Sequence, residues 1–270
     1  MATTATPATG ISATSATRGR FVWHELMTSD PAAAEKFYKE VIGWGSTKSV
    51  NMEGIDYKMF TKGEIPIAGL MGFTPDSKER GVPPNWLAYT EVPDTDATIT
   101  QVQQLGGKVV VPAMTVPSVG RFAILQDPQG AVFGVLTSER PLGDEQDPAP
   151  LTYSWHELAT PDLAGGISFY EQIFGWKKQS EFDMGDMGIY YMFGRDRFTY
   201  GGMMKKPAEV PASYWLHYIG VDSADAAAER ATKAGGKLMV GPMDVPGGDR
   251  VAILNDPQGA WFAVHSKAPK

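Results

Sequence analysis

The chain of 270 residues contains no cysteine. Disulfide bonds, thiolate catalysis and cysteine-based zinc sites are therefore excluded. No apolar run approaches the roughly 20 residues that a membrane-spanning helix needs, and there is no basic run longer than a pair such as Lys205-Lys206. The net charge of −7 also disfavours a phosphate-backbone partner. We therefore expect neither a membrane nor a nucleic acid as a partner.

The first residues, 1–19, are rich in alanine, threonine and serine and lack the apolar core of a secretory signal. They predict a disordered tail, because this composition buries too little apolar area to offset the entropy of ordering. The segment is also poor in acidic residues and contains Arg18, so an organelle transit segment is the alternative. A cytoplasmic location is the default expectation.

One long internal repeat organises the rest of the chain. Trp23-His24-Glu25-Leu26 recurs 132 residues later as Trp155-His156-Glu157-Leu158. Further pairs follow at offsets of 132 and then 129 residues: Phe37-Tyr38 with Phe169-Tyr170, Gly43-Trp44 with Gly175-Trp176, and Asp127-Pro128-Gln129-Gly130 with Asp256-Pro257-Gln258-Gly259. A period of this length indicates a duplicated domain. The predicted domains are 20–138 and 152–267, joined by a polar linker over 139–151.

Each copy divides again into two similar modules. Phe21–Met27 alternates as a strand does, and Asp30-Pro31 then offers a helix N-cap followed by proline, with Gly43 as the C-cap. The second half of the copy repeats this order, and Asp127-Pro128-Gln129-Gly130 is a type I turn signature between its last two strands. The sequence therefore predicts an α+β fold of four βαβββ modules, near 20–73, 84–138, 152–204 and 212–267.

This ordered set of motifs, seen twice, resembles the vicinal oxygen chelate superfamily of glyoxalases, bleomycin-resistance proteins and extradiol dioxygenases. Trp-His-Glu-Leu also resembles a bacterial two-domain, glyoxalase-like subgroup. The resemblance implies that the four modules pair into two tandem cup-shaped domains, each curling its sheet around its own cup.

The resemblance also locates the positions at which metal-dependent members carry histidine, glutamine or glutamate. In this chain they are Trp23, Gly69, Leu87 and Gly134 in the first copy, and Trp155, Gly202, Leu216 and Ala263 in the second. None of these side chains can bind a metal. We therefore expect no metal cofactor in either cup.

An alternative shifts the first strand by one residue. His24 and His156 would then face the cup together with His217, and imidazole is the commonest metal ligand in proteins. No carboxylate stands at or beside Gly134 or Ala263 to complete such a divalent metal site. Without the shift, we expect His24 and His156 to be hydrogen-bonded under the helix.

In the unshifted register, strand alternation places Trp23, Glu25 and Met27 on the face that lines the cup. The candidate ligand-binding residues are Trp23, Met27, Tyr89, Trp155 and Tyr218. Glu25 and Glu157 are the candidate catalytic residues, because a desolvated carboxylate has a raised pKa and can act as a base or receive a cationic group. The alternative for these glutamates is ordinary ion pairing with Arg121 and Arg250. Five methionines are expected in the strand core: Met59, Met71, Met192, Met203 and Met204.

Two classes of function follow. The first is a bleomycin-resistance-like protein that binds a small, partly aromatic molecule in a metal-free cup. The second is an enzyme, a glyoxalase-like lyase or isomerase or a hydroxylase, that uses a cup glutamate as base or a divalent metal held by histidine. In both cases the expected partner is a small molecule, and the chain is expected to be a monomer or a homodimer. The hypothesis of a purely structural or interaction protein is weaker than these two, because no segment has the pattern of an extended docking surface.

Overall fold

A computed structural model describes residues 17–52 and 55–268 of the chain. Most of the predicted tail, residues 1–16, lies outside the described residues. Within them, no helix is long and apolar enough to cross a membrane.

The first domain contains two modules in which a strand, a helix and further strands follow one another. Its elements are β1 (Phe21–Thr28), α1 (Pro31–Ile42), β2 (Gly45–Ser46), β3 (Val50–Met52), β4 (Ile55–Lys62), β5 (Ile65–Gly72), α2 (Pro75–Glu79), β6 (Asn85–Glu91), α3 (Thr95–Gln104), β7 (Lys108–Val116), β8 (Gly120–Gln126) and β9 (Val132–Ser138).

The second domain repeats this order, with the single strand β11 in place of β2 and β3 and without a counterpart of α2. Its elements are β10 (Tyr153–Thr160), α4 (Leu163–Phe174), β11 (Lys177–Asp183), β12 (Ile189–Arg195), β13 (Phe198–Lys205), β14 (Tyr214–Gly220), α5 (Ala224–Lys233), β15 (Lys237–Asp244), β16 (Arg250–Asn255) and β17 (Trp261–Ser266).

Each domain forms one mixed sheet with the same topology. The strand orders are β2-β4-β5-β1-β6-β9-β8-β7, with the short β3 also paired to β4, and β11-β12-β13-β10-β14-β17-β16-β15. The first strands of the two modules, β1 and β6 or β10 and β14, pair antiparallel at the centre of each sheet. The predicted α+β fold of four βαβββ modules in two tandem domains is confirmed.

The repeated helix boundaries have the capping chemistry that the sequence predicts. The Asp30 side chain accepts hydrogen bonds from the first backbone amides of α1, and Gly43 ends the helix with a φ of 89°. Asp162 and Gly175 do the same for α4. A left-handed backbone conformation favours glycine, because glycine carries no Cβ. Both helices therefore end where the sequence indicates.

The four long helices lie between the two sheets, and the two largest hydrophobic cores are shared by the two domains. One core joins Leu26 and Phe37 of the first domain to Phe262 of the second. The other core joins Phe133 of the first domain to Phe169 of the second. We call the helix-bearing face of each sheet its inner face and the opposite face its outer face. The inner faces are turned towards each other, so the domains form one body.

The repeated motifs also connect the domains. The Tyr38 hydroxyl accepts a hydrogen bond from the Trp86 indole and donates to Asp256 of the other domain, at 3.2 Å. In the symmetry-related position, Tyr170 donates to Asp127 at 3.0 Å. The tyrosine of Phe-Tyr and the aspartate of Asp-Pro-Gln-Gly therefore meet across the domain interface.

Residues 17–19, the end of the predicted tail, belong to the fold. The Arg18 guanidinium donates to backbone carbonyls of Gln172 and Ile173 at the end of α4. The carbonyl of Gly19 accepts a hydrogen bond from the Trp176 indole at 2.7 Å. These contacts attach the segment to the end of α4 just before β1 begins, because they satisfy backbone carbonyls that the helix end leaves without a partner.

Candidate functional site

The outer face of the first sheet carries a hydrogen-bonded group of aromatic side chains around one carboxylate. Tyr57 on β4 donates to Glu25 at 3.0 Å, and Tyr89 on β6 donates to the other oxygen of Glu25 at 3.2 Å. The Trp23 indole donates to the Tyr57 hydroxyl at 3.0 Å. Trp23 and Glu25 share this face because they are two residues apart on β1.

The second sheet repeats the arrangement. The Trp155 indole donates to the Tyr190 hydroxyl at 2.8 Å, and Tyr190 donates to Glu157 at 2.9 Å. Tyr218 supplies a further hydrogen bond to Glu157. Tyr214, whose counterpart in the first domain is Asn85, also lies near this carboxylate. The second outer face is therefore the more aromatic of the two.

Both glutamates are half-buried, and neither has a charged partner among the described residues. Burial raises the pKa of Glu25 and Glu157, and the tyrosine hydrogen bonds offset only part of that increase. The ion pairs proposed with Arg121 and Arg250 do not form: Arg121 binds Asp96 at 2.7 Å, and Arg250 binds carboxylates at positions 225 and 244. Among the described residues, neither glutamate is within salt-bridge distance of a cationic side chain.

The family's metal-ligand positions do not fit a metal in this chain. Tyrosine rings fill the space at three of them. In the first domain, a Cβ added to Gly69 would overlap the Tyr57 hydroxyl, and one added to Gly134 would overlap the Tyr89 ring. In the second domain the Tyr190 ring covers Gly202 in the same way. The remaining positions offer indole, leucine and alanine, which have no atom for coordinating a divalent ion.

Methionines occupy the outer faces more than expected. Met27 pairs with Met71 across β1 and β5 on the outer face. Met59, Met192 and Met204 lie on the same side and are half-buried. Of the five methionines predicted as strand core, only Met203 is packed in it, so the expectation is wrong for the other four. Flexible thioethers beside aromatic rings suit a surface that adapts to a ligand.

The three candidate histidines lie on the inner faces, away from the glutamates. His24 alternates with Glu25 and points between the domains, as does His156, so the shifted register is wrong. Their rings come within 5.1 Å of each other, and each stacks on a ring of the opposite domain, His24 on Tyr153 and His156 on Phe21. His217 joins them through a hydrogen bond of 3.0 Å between its Nδ1 and that of His156.

This histidine cluster is buried. His24 and His156 are 5% exposed and His217 is 3% exposed. Burial lowers the pKa of all three, that of His217 to about 3, and mutual repulsion adds to the effect at His24 and His156. Ligating nitrogens of the three rings lie within 4.8 Å of one another. Of the hydrogen bonds expected for His24 and His156, the one at His156 is present, to His217, and His24 makes none with the described residues.

Sequence reasoning did not single out Tyr57 and Tyr190, which orient the two glutamates. A signal was available, because both open a repeated Tyr-x-Met-Phe segment, at 57–60 and 190–193. It also did not anticipate that residues 132 apart in the repeat, His24 and His156, would meet at one place.

Comparison with known proteins extends over nearly the whole described chain. The model of the Glyoxalase/Bleomycin resistance protein/Dioxygenase superfamily matches residues 20–135 and 152–264. A Mycobacterium tuberculosis (strain CDC 1551 / Oshkosh) protein named "Putative glyoxylase CFP32" is 36% identical over 251 residues, 92% of this chain and 95% of its own. "Anthracycline biosynthesis protein DauV" of Streptomyces sp. (strain C5) is 28% identical over 258 residues, 91% of this chain and 92% of its own.

The fold matches solved structures at lower sequence identity. The Mn(II)-bound glyoxalase from Novosphingobium aromaticivorans superposes with a TM-score of 0.62 at 18% identity, covering 94% of this chain and 83% of that one. At this identity the likeness concerns the fold alone.

Proposed function

The chain belongs to the Glyoxalase/Bleomycin resistance protein/Dioxygenase superfamily, and on that premise we propose that it binds a small, partly aromatic molecule on the outer face of one or both sheets, without a metal ion there. The observation that carries the proposal is the carboxylate of Glu25, desolvated among Trp23, Tyr57 and Tyr89 with no cation beside it. The same group recurs around Glu157.

An unpaired, partly desolvated carboxylate destabilises the folded chain, so its presence twice in the chain points to a function. Structural carboxylates in apolar surroundings are usually paired with a cation. Here the nearest polar groups are phenol hydroxyls, which orient the carboxylate and leave its charge uncompensated. A cationic group on a ligand would supply that charge, and functional sites are where such perturbed groups cluster.

The surroundings of the glutamates favour a flat, apolar ligand body. Trp23 and Tyr57 are half-buried, so part of each ring is open to solvent. Aromatic faces bind planar molecules by stacking and cations by the ring quadrupole. The relative named for anthracycline biosynthesis supports an extended aromatic ligand, and an anthracycline carrying an amine combines both features.

Calorimetric titration tests the proposal. The purified chain is titrated with an amine-bearing anthracycline and with a planar aromatic compound that lacks the amine. We expect saturable binding of the first, weakened by about 1.5–3 kcal/mol in the Glu25→Gln, Glu157→Gln double variant, the range of a hydrogen bond to a charged group. Binding of the amine-free compound should change little.

Glu40→Gln is the matched control, because Glu40 is an exposed carboxylate on α1. It should bind both compounds as the unmodified chain does. If the double variant and the control bind equally well, the glutamates are not part of a ligand site.

A second candidate is proton abstraction by the same glutamates. The raised pKa of Glu25 and Glu157 brings a carboxylate towards the range in which it serves as a general base. The relative named as a glyoxylase supports trying an α-oxoaldehyde with a thiol as substrate. Turnover followed by proton NMR, absent from the double variant, would favour this candidate over binding alone.

A further inference from the structure

We propose that the cluster of His24, His156 and His217 binds one first-row transition metal ion, of which zinc is the probe, and thereby ties the two domains together. The cluster lies on the inner faces of the sheets, whereas Glu25 and Glu157 lie on the outer faces. This site is therefore separate from the proposed ligand site, and neither proposal depends on the other.

The geometry of the three rings is close to that of a metal site. Ligating nitrogens lie within 4.8 Å of one another, and Nδ1 of His156 is 3.0 Å from Nδ1 of His217. Around a tetrahedral zinc ion with bonds of about 2.0–2.1 Å, ligand nitrogens stand about 3.3 Å apart. The His156–His217 pair, at 3.0 Å, is close to this spacing, and the nitrogen of His24, within 4.8 Å of the others, has to approach by up to about 1.5 Å.

His24 presents an unused polar atom to the interior. Its Nε2 is fully buried and makes no hydrogen bond with any described residue. A buried polar nitrogen without a partner is costly, and most such atoms in folded proteins are satisfied. The faces of His24 are covered by stacking, against Tyr153 on one side. A metal ion at the centre of the cluster would satisfy this nitrogen.

The place of the cluster in the repeat explains why it has three members. His24 and His156 are the same position in the two copies, and they meet where the central strands of the sheets face each other. His217 has Ala88 as its counterpart in the first domain. A cavity of about 10 Å³, bounded by Phe21, Ala88 and His217 among others, remains beside it.

The cavity borders the cluster at His217 alone, so a fourth ligand would have to enter from that side. Its volume is close to the lower limit for holding one water molecule. A water bound to zinc loses a proton near neutral pH, and the resulting hydroxide would halve the charge that the apolar surroundings have to accommodate. Three imidazoles and one water form a known tetrahedral zinc arrangement.

The composition of the chain makes the site easy to test. The chain has four histidines and no cysteine. The fourth histidine, His265, lies elsewhere and pairs with Asp249 and Ser154. Nitrogen-rich coordination can therefore come only from the cluster.

The experiment uses the full chain, produced in zinc-supplemented medium and also unfolded and refolded with Zn²⁺ or Co²⁺. We expect one metal ion per chain by mass spectrometry and a visible Co²⁺ spectrum typical of four-coordination. The zinc absorption edge should report three imidazole ligands. Free metal at a hundredfold excess over Kd should raise Tm by several degrees, because it binds only the folded state.

Two variants complete the test. His217→Ala should fold, since the first domain carries alanine at the equivalent position, and should lose the stoichiometric metal and the rise in Tm. His265→Gln should keep both. The proposal is overturned if the refolded wild-type chain holds no stoichiometric metal, if His217→Ala keeps it with the same spectrum, or if His265→Gln loses it. The measurement at the zinc edge needs no variant, so a folding defect in His217→Ala would not remove the test.

Discussion

Removal of one hydroxyl at the domain interface, in Tyr170→Phe, tests how far the repeated motifs hold the two domains together. The Tyr170 hydroxyl donates to Oδ2 of Asp127 at 3.0 Å and accepts from the Trp215 indole at 3.0 Å. Phenylalanine keeps the ring and its packing. The substitution therefore removes two hydrogen bonds and little else.

The magnitude follows from what each partner loses. A hydrogen bond to a charged group contributes about 1.5–3 kcal/mol, and a buried donor left unpaired costs about 1–3 kcal/mol. Asp127 keeps the backbone amides of Gln129 and Ala131 as donors, and Trp215 is partly exposed, so both losses fall towards the lower end. We expect the free energy of unfolding to fall by about 2–4 kcal/mol.

Urea unfolding followed by circular dichroism gives this free energy. Tyr153→Phe is the matched control, since the Tyr153 hydroxyl is buried at the same interface without a hydrogen-bond partner among the described residues. Its counterpart in the first repeat is already phenylalanine, Phe21. The control should leave stability unchanged or slightly raised. Equal losses in the two variants, or a loss below about 0.5 kcal/mol in Tyr170→Phe, would refute the argument.

Three further predictions concern the outer face and the N-terminal contact. Because the folded pKa of Glu25 is raised, the folded state binds more protons than the unfolded state; the stability of the wild type relative to Glu25→Gln should fall as pH rises from about 4.5 through the folded pKa, measured by urea unfolding across pH. Gly69→Ala should displace the Tyr57 ring and cost about 1–3 kcal/mol in the same assay, whereas Gly143→Ala, which meets no neighbouring atom, should cost almost nothing. Arg18→Ala should lower the free energy of unfolding by about 1–3 kcal/mol, because carbonyls at the end of α4 lose their donor; an unchanged Tm would contradict this.

The sequence by itself determined the local structure. The repeat follows from matching motifs 132 and 129 residues apart. The modules and the helix ends follow from short-range signals: strand alternation, an aspartate before proline, and a glycine where the chain turns left-handed. Alternation also placed Trp23 and Glu25 on the same face of β1, since side chains two residues apart on a strand point the same way. These relations hold within a few residues, so no tertiary contact was needed to find them.

Only the tertiary structure decided what each face meets. Tyr57 reaches Glu25 across β5, and His24 reaches His156 across the domain interface. Asp127 closes a turn that the sequence shows, but its second oxygen takes a partner from the other domain. Strand alternation predicts that His24 and Glu25 point to opposite faces of β1. It does not predict which of the two faces carries the helices and packs against the second sheet. That choice is made when the two inner faces bury their apolar surface against each other, because the shared cores need residues from both domains.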